Sequence, residues 1–195
     1  MRTSLLRIKL IFPGRKMRSL EIRGKNHLIP SETLAALAAV TPPRHEVVIE
    51  DENVGRLHLD DWPDVVGITV YTFLARRAYE IADHYRARGV HVVLGGLHVT
   101  GRPEEALQHA NTIVVGEGDS AWPQFLADFE AGQPRQVYRA ETAVPLDALP
   151  LPRKELLDAC RYLSTASVSA TRGCPYHCHY CFNSVDGASP FRKRS

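Results

Sequence analysis

The chain has 195 residues, 44% hydrophobic and 24% charged, and a net charge of +2. That suffices for one domain of ordinary size and part of another, while so small a charge draws a chain neither to nucleic acid nor to an anionic membrane. No apolar run approaches the ~18–20 residues of a membrane span, and Arg7 and Lys9 interrupt the N-terminal apolar run where a signal peptide would carry no charge.

The expected elements alternate. Leu6 to Phe12 reads as a strand ending at Pro13-Gly14, and the basic stretch from Arg15 to His27 reads as a solvated loop. Ser31 is a candidate helix N-cap, Leu34, Leu37 and Ala38 give a small apolar face, and Pro42-Pro43 stops the helix. Glu46 to Glu50 is a second strand. Asp64 to Val70 is a third, with the continuous apolar character of a buried parallel strand. Leu74, Ala78, Ile81, Ala82 and Tyr85 recur at helical spacing, and Gly89 stands where a C′ glycine ends a helix. Val90 to Leu94 is a fourth strand and runs into Gly95-Gly96-Leu97-His98-Val99-Thr100. Pro103-Glu104-Glu105 opens a short helix, with proline at its first position and acids at the positive end of its dipole. Thr112 to Val115 is a fifth strand, followed by Gly116-Glu117-Gly118-Asp119. Trp122, Phe125, Leu126 and Phe129 form the face of a helix closed by Gly132.

Five strands alternating with helices imply an α/β, doubly wound parallel sheet of the flavodoxin or Rossmann-like kind, with 2-1-3-4-5 as the expected strand order. Ligands of such sheets bind beyond the carboxyl ends of the strands. Thr69, Tyr71, Thr72, Gly95, Gly96, His98, Gly116, Glu117 and Gly118 all fall there. No G-x-G-x-x-G follows the first strand, so a dinucleotide site has little support. Val144 to Pro152 is proline-rich and reads as an extended linker. Arg153 to Cys160 is expected to be a short helix, and Ser167 to Thr171 a strand.

That strand leads into Thr171-Arg172-Gly173-Cys174-Pro175-Tyr176-His177-Cys178-His179-Tyr180-Cys181-Phe182. Three of the four cysteines lie here, spaced C-x3-C-x2-C. Three thiolates on one short loop can hold three corners of a 4Fe–4S cluster and leave the fourth iron open. Zinc is the alternative, but its sites usually take ligands as two separated pairs so that a tetrahedron can close. His177 and His179 read as surface or supporting residues. Cys160, outside the trio, is a packing cysteine or a fourth ligand.

The spacing, with Tyr180 before the last cysteine, resembles the radical S-adenosylmethionine (SAM) superfamily. The resemblance implies that Cys174, Cys178 and Cys181 ligate the cluster, that the open iron binds SAM, and that Tyr180 touches the adenine. It also implies reductive cleavage of SAM and an electron donor such as flavodoxin or ferredoxin. Clustered thiols without a targeting segment fit a reducing cytoplasm.

A second resemblance covers residues 6 to 133 and continues through the linker into Arg172-Gly173-Cys174. It is carried by Asp64-Val65-Val66-Gly67-Ile68-Thr69, the run from Gly95 to Thr100, Pro103-Glu104-Glu105-Ala106, and Val114-Val115-Gly116-Glu117-Gly118. Together these are similar to the cobalamin (B12)-binding domain that precedes the radical SAM domain in one branch of that superfamily. The resemblance implies a flat corrinoid whose nucleotide tail enters a slot beside the sheet. Gly95-Gly96 would leave such a slot open, and Thr69 and Thr72 would offer hydroxyls. Glu117 would orient a cofactor amide or cap the following helix. His98 would be a cobalt ligand or a loop-stabilising residue. No D-x-H-x-x-G is present, since Pro13-Gly14-Arg15-Lys16 follows the first strand, so the resemblance implies base-off cobalamin without histidine ligation.

The domains expected are residues 1–140, a cobalamin-binding domain; 141–160, a linker; and 161–195, the start of a radical SAM partial (βα) barrel. A full βα barrel runs to ~250 residues, so the sequence reads as the N-terminal part of a longer enzyme and as inactive alone. Methyl transfer is the expected outcome of the whole. The alternatives are a non-catalytic cobalamin-binding module with a vestigial cluster loop, and a zinc-binding α/β protein.

Overall fold

The computed structural model describes residues 5–14, 29–140, 143–164, 166–176, 178–182 and 190–195. The basic stretch from Arg15 to His27 therefore lies outside the described residues, as does His177.

A parallel sheet organises the rest. Its strands are β1 (Arg7–Phe12), β2 (Glu46–Asp51), β3 (Val65–Thr69), β4 (His91–Gly95), β5 (Thr112–Val115) and β6 (Val137–Arg139). Their order is β2-β1-β3-β4-β5-β6, and every pairing is parallel. The first five strands take the 2-1-3-4-5 order expected. The sheet has six strands rather than five, because Val137–Arg139 pairs with Ile113 to Val115.

Alternation along each strand feeds two apolar layers. On one face Ile11, Val66, Ile68, Val92, Leu94 and Ile113 pack against α2 (Ala75–Ala87), α3 (Leu97–Gly101) and α4 (Pro103–Leu107). On the other, Ile8, Leu10, Val65, Val93 and Val114 meet α1 (Glu32–Ala39) and α5 (Gly118–Glu130). Gly67 in β3 makes room for that second layer. A Cβ there would lie 2.8 Å from Leu10 and 3.4 Å from the Trp122 ring.

Helix ends follow local rules. Gly89, at φ +79°, ends α2, and its N–H reaches Arg86 O while Val90 N–H reaches Tyr85 O. That pair of bonds is a Schellman closure. Ser31 occupies the N-cap of α1 with extended backbone but makes no side-chain cap bond. Charge is buried at one point of the first layer. Lys9 in β1, 2% exposed, bonds Asp61 Oδ2 at 2.9 Å and lies 3.1 Å from Glu50 Oε1.

After β6 the chain departs from expectation twice. Arg153 to Cys160 forms two 3₁₀ turns, Lys154–Leu156 and Ala159–Arg161, instead of an α-helix. Pro150 and Pro152 precede it, and no apolar stripe recurs at helical spacing to pay for longer propagation. Instead of a strand from Ser167 to Thr171, two residues pair: β7 (Thr171–Arg172) runs antiparallel to β8 (Arg192–Lys193). Among the described residues no helix is long and apolar enough to cross a membrane.

Candidate functional site at the carboxyl ends of the strands

A cleft of about 770 Å³ opens beyond the carboxyl ends of β3, β4 and β5. Gly67 to Thr69, Gly95-Gly96 and Val114 to Gly116 form its floor, and Leu37 of α1 and Val40 just after it form a wall. The segment after β6 folds back across the mouth, contributing Pro150, Pro152, Arg172, Phe182 and Arg194.

Backbone bonds fix the floor. Val70 N–H donates to Gly95 O at 2.8 Å and His98 N–H to Val70 O at 3.1 Å. Gly96 sits at φ +105°, ψ −177°, a conformation nearly reserved for glycine. A Cβ there would be 3.0 Å from both N and O of Val70. Thr100 ties the second and third loops together, since its hydroxyl donates to Gly96 O at 3.1 Å and accepts from Gly116 N–H at 3.0 Å. Sequence reading missed Thr100; its signal was its place four residues after Gly96, one helical turn on.

Thr69, Tyr71, Gly95, Gly96, Gly116, Glu117 and Gly118 all line the cleft. Tyr71 packs between Phe12 and Phe73, with ring centroids 5.8 and 5.9 Å away. Thr72 and His98 lie outside the lining. His98 Nδ1 is 3.3 Å from Thr72 Oγ1 and its Nε2 3.3 Å from Glu105 Oε1, so both ring nitrogens are engaged by side chains. The bond from His98 holds the Glu105 carboxyl below its ordinary range.

Glu117 precedes α5 at the N-cap, without a side-chain cap bond. Its Oε1 accepts from Arg192. Its Oε2 is buried, has no hydrogen bond among the described residues, and lies 3.8 Å from Arg172. Arg172 itself donates to Asp119. On the α1 side, Glu32 accepts from Ser167 at 2.7 Å and Ser169 at 2.8 Å, and pairs with Lys154 at 2.8 Å. Burial pushes the Glu32 carboxyl up, but these bonds outweigh it and bring it down to about 2.

The cysteine loop lies beside this charged seam. Cys174, Cys178 and Cys181 are half-buried and Cys160 is exposed, all four as free thiols. Cys181 N–H donates to Cys178 O at 2.9 Å, so those two share one turn. Among the described residues no three His, Cys, Asp or Glu side chains stand together as a metal site, so the three thiols are near in sequence without being gathered. Tyr180 is 92% exposed and does not line the cleft.

The B12 binding domain family model matches residues 34–126, the stretch that supplies nearly all of the cleft floor. Two relatives come from Chlorobaculum tepidum. Bacteriochlorophyllide d C-8(2)-methyltransferase is 39% identical over 155 residues, covering 76% of this chain and 34% of that protein. Bacteriochlorophyllide d C-12(1)-methyltransferase is 30% identical over 167 residues, covering 83% and 37%. The chain thus spans about a third of the length of these relatives. In fold it is similar to the radical S-adenosylmethionine methyltransferase TsrM from Kitasatospora setae, with a TM-score of 0.61 at 18% identity over 97% of this chain and 43% of that one.

Residues 34–126 belong to the B12 binding domain family.

The residues of this domain fit the group that the family name implies. The floor presents glycine backbone where a Cβ at Gly96 or Gly116 would meet atoms at 3.0–3.2 Å, and the slot above it has apolar walls and a few polar groups, as small-molecule sites do. The cysteine loop fits in donor chemistry: three soft thiols within eight residues suit iron–sulfur better than a hard cation.

Proposed function

We propose that the cleft receives the nucleotide tail of a cobalamin, and that Cys174, Cys178 and Cys181 ligate a 4Fe–4S cluster that binds SAM. The whole protein would then be a methyltransferase. The observation that carries this reading is the cleft itself, floored by glycine backbone at the carboxyl ends of β3, β4 and β5 and covered by the segment that bears the cysteines. When bound, the corrinoid would supply a transferable methyl group and the cluster an electron for SAM.

The chain's own residues have three tasks in this reading. Gly95, Gly96 and Gly116 keep the slot open, Thr69 and Tyr71 present polar groups to its contents, and Pro150, Pro152, Arg172, Phe182 and Arg194 exclude water from above. No D-x-H-x-x-G occurs in the sequence, since Pro13-Gly14-Arg15-Lys16 follows the first strand, so the corrinoid in this reading is held without histidine ligation. The domain limits that go with the reading are residues 1–140 for the corrinoid, 141–160 for the linker and 161–195 for the cluster loop. A flavodoxin-like or ferredoxin-like donor in a reducing cytoplasm would supply the electrons.

Anaerobic reconstitution with iron, sulfide and hydroxocobalamin tests it. The chain is expected to acquire both iron–sulfur and corrinoid absorbance. Alanine at any of the three loop cysteines should abolish the iron–sulfur band, and Cys160→Ala should keep it. Its loss in Cys160→Ala would overturn the open-iron reading. Corrinoid uptake without any cluster would favour a non-catalytic binding module. Nitrogen superhyperfine splitting in the Co(II) electron paramagnetic resonance spectrum would show that a histidine or the tail base is ligated, against the base-off reading.

A further inference from the structure

Two contacts fasten the sheet domain to the ends of the cysteine loop, and together they bracket the thiols. Two residues before Cys174, Arg172 donates to both oxygens of Asp119. The Asp119 side chain is only 9% exposed and that of Arg172 29%, so salt screens this pair less than it does a fully exposed one. One residue after Cys181, Phe182 lies against Gly101, the last residue of α3. A Cβ built on Gly101 would stand 2.9 Å from Phe182 Cε2, and its three nearest atoms all belong to the Phe182 ring.

Between the two anchors the loop is loosely built. Tyr176 and Tyr180 are 71% and 92% exposed, and Cys181 N–H to Cys178 O is its one backbone bond among the described residues outside helices and strands. The loop's own contacts therefore do little to decide where its thiols lie.

We infer that Asp119 and Gly101 are positioning residues that set the cysteine loop over the mouth of the cleft. This rests on reading the loop as a cluster site, and it adds the means by which that site is placed. Asp119 follows the loop after β5, and Gly101 ends the helix that follows the loop after β4. Those two loops also form the cleft floor, so whatever shifts the floor also shifts the thiols.

The test uses the whole chain without metal or corrinoid. Iodoacetamide alkylation of each cysteine is followed by mass spectrometry and normalised to the denatured chain. Cys160, exposed and outside the loop, is the internal reference. In the parent, Cys174 and Cys181 are expected to react several-fold more slowly than Cys160. Asp119→Arg should erase that protection at Cys174, and adding Arg172→Asp should restore it. Gly101→Val should erase it at Cys181, because the new side chain meets the Phe182 ring. Circular dichroism confirms folding, and Asp119→Asn and Gly101→Ala serve if the larger changes do not fold. Equal protection in the parent and the folded single variants, or no recovery in the charge-swapped double variant, overturns the inference. Iron and corrinoid uptake by the parent is read separately. Failure there removes the proposed function, and anchoring is still decided by the alkylation rates.

Discussion

From β1 to β6 the chain buries aliphatic and aromatic side chains on both faces of a sheet. From Ala143 onward, Leu146, Leu149, Leu157 and Tyr162 are the buried hydrophobic residues among those described, Leu156 and Phe182 add apolar contacts, and much of the remaining hold is polar. Lys154, Ser167 and Ser169 converge on Glu32, Arg172 and Arg192 on Asp119 and Glu117, and Tyr162 reaches Asp51 Oδ2 at 2.9 Å. Apolar burial hardly depends on charge state, whereas partly buried ion pairs are still weakened by salt and lost when a partner is neutralised. The floor of the cleft and its cover should therefore come apart under different conditions, with the cover lifting while the floor stays folded.

The sharpest way to break that contrast is to damage the floor. Trp122 is 1% exposed and its indole N–H donates to Thr41 Oγ1 at 2.9 Å. Trp122→Ala is expected to cost about 3–5 kcal/mol, read as a lower urea midpoint by circular dichroism. A cost below about 1 kcal/mol would mean that the polar cover contributes as much to the fold as the core does. A smaller effect is expected at the slot. Gly96→Ala should cost about 1–3 kcal/mol through its backbone conformation and should weaken hydroxocobalamin binding in a spectroscopic titration. Unchanged binding would place the corrinoid away from the glycine floor.

The smallest effect concerns the cover alone. The folded-state value of Glu32, about 2, lies below its ordinary 4.5, so its stabilising contribution is present above pH 4.5 and fades as pH falls towards 2. Hydrogen exchange in residues 153–172 should rise over that window, and also in 1 M salt, while exchange in β3 and β4 stays slow. Glu32→Gln should produce the same loosening at pH 7, at about 1 kcal/mol of docking energy. Exchange rising equally in β3 and β4 would show that cover and floor are one cooperative unit.

The strands were legible because each is a short apolar run beside a turn signal, and Gly89 and Gly132 marked helix ends by a conformation that glycine alone adopts readily. β6 was not legible: Val137-Tyr138-Arg139 is too short to show a period, and only its pairing with β5 defines it. At the site, the glycine floor could be read from sequence since its requirement is local. The cover could not. Glu32 and Ser167 are 135 residues apart, Asp119 and Arg172 53 apart, and nothing near either acid announces its partner. Thr72 and His98 fall at the right end of the right strands, and their side chains turn to each other and to Glu105, which agrees with the loop-stabilising reading of His98.

Lys9 has a consequence for how β1 finds its alignment. Successive residues of a strand face opposite sides of the sheet, so sliding β1 by one position would put Leu10 beside Asp61 and Glu50. The ammonium would then point into the apolar layer around Trp122, and both carboxylates would lose their cation. The misplaced ammonium would carry the cost of an unpaired ion in a nonpolar medium. A run of leucines and isoleucines alone would tolerate the slip at little penalty. One lysine amid that run makes a single alignment acceptable, and so acts as a proofreader for the strand that joins β2 to β3.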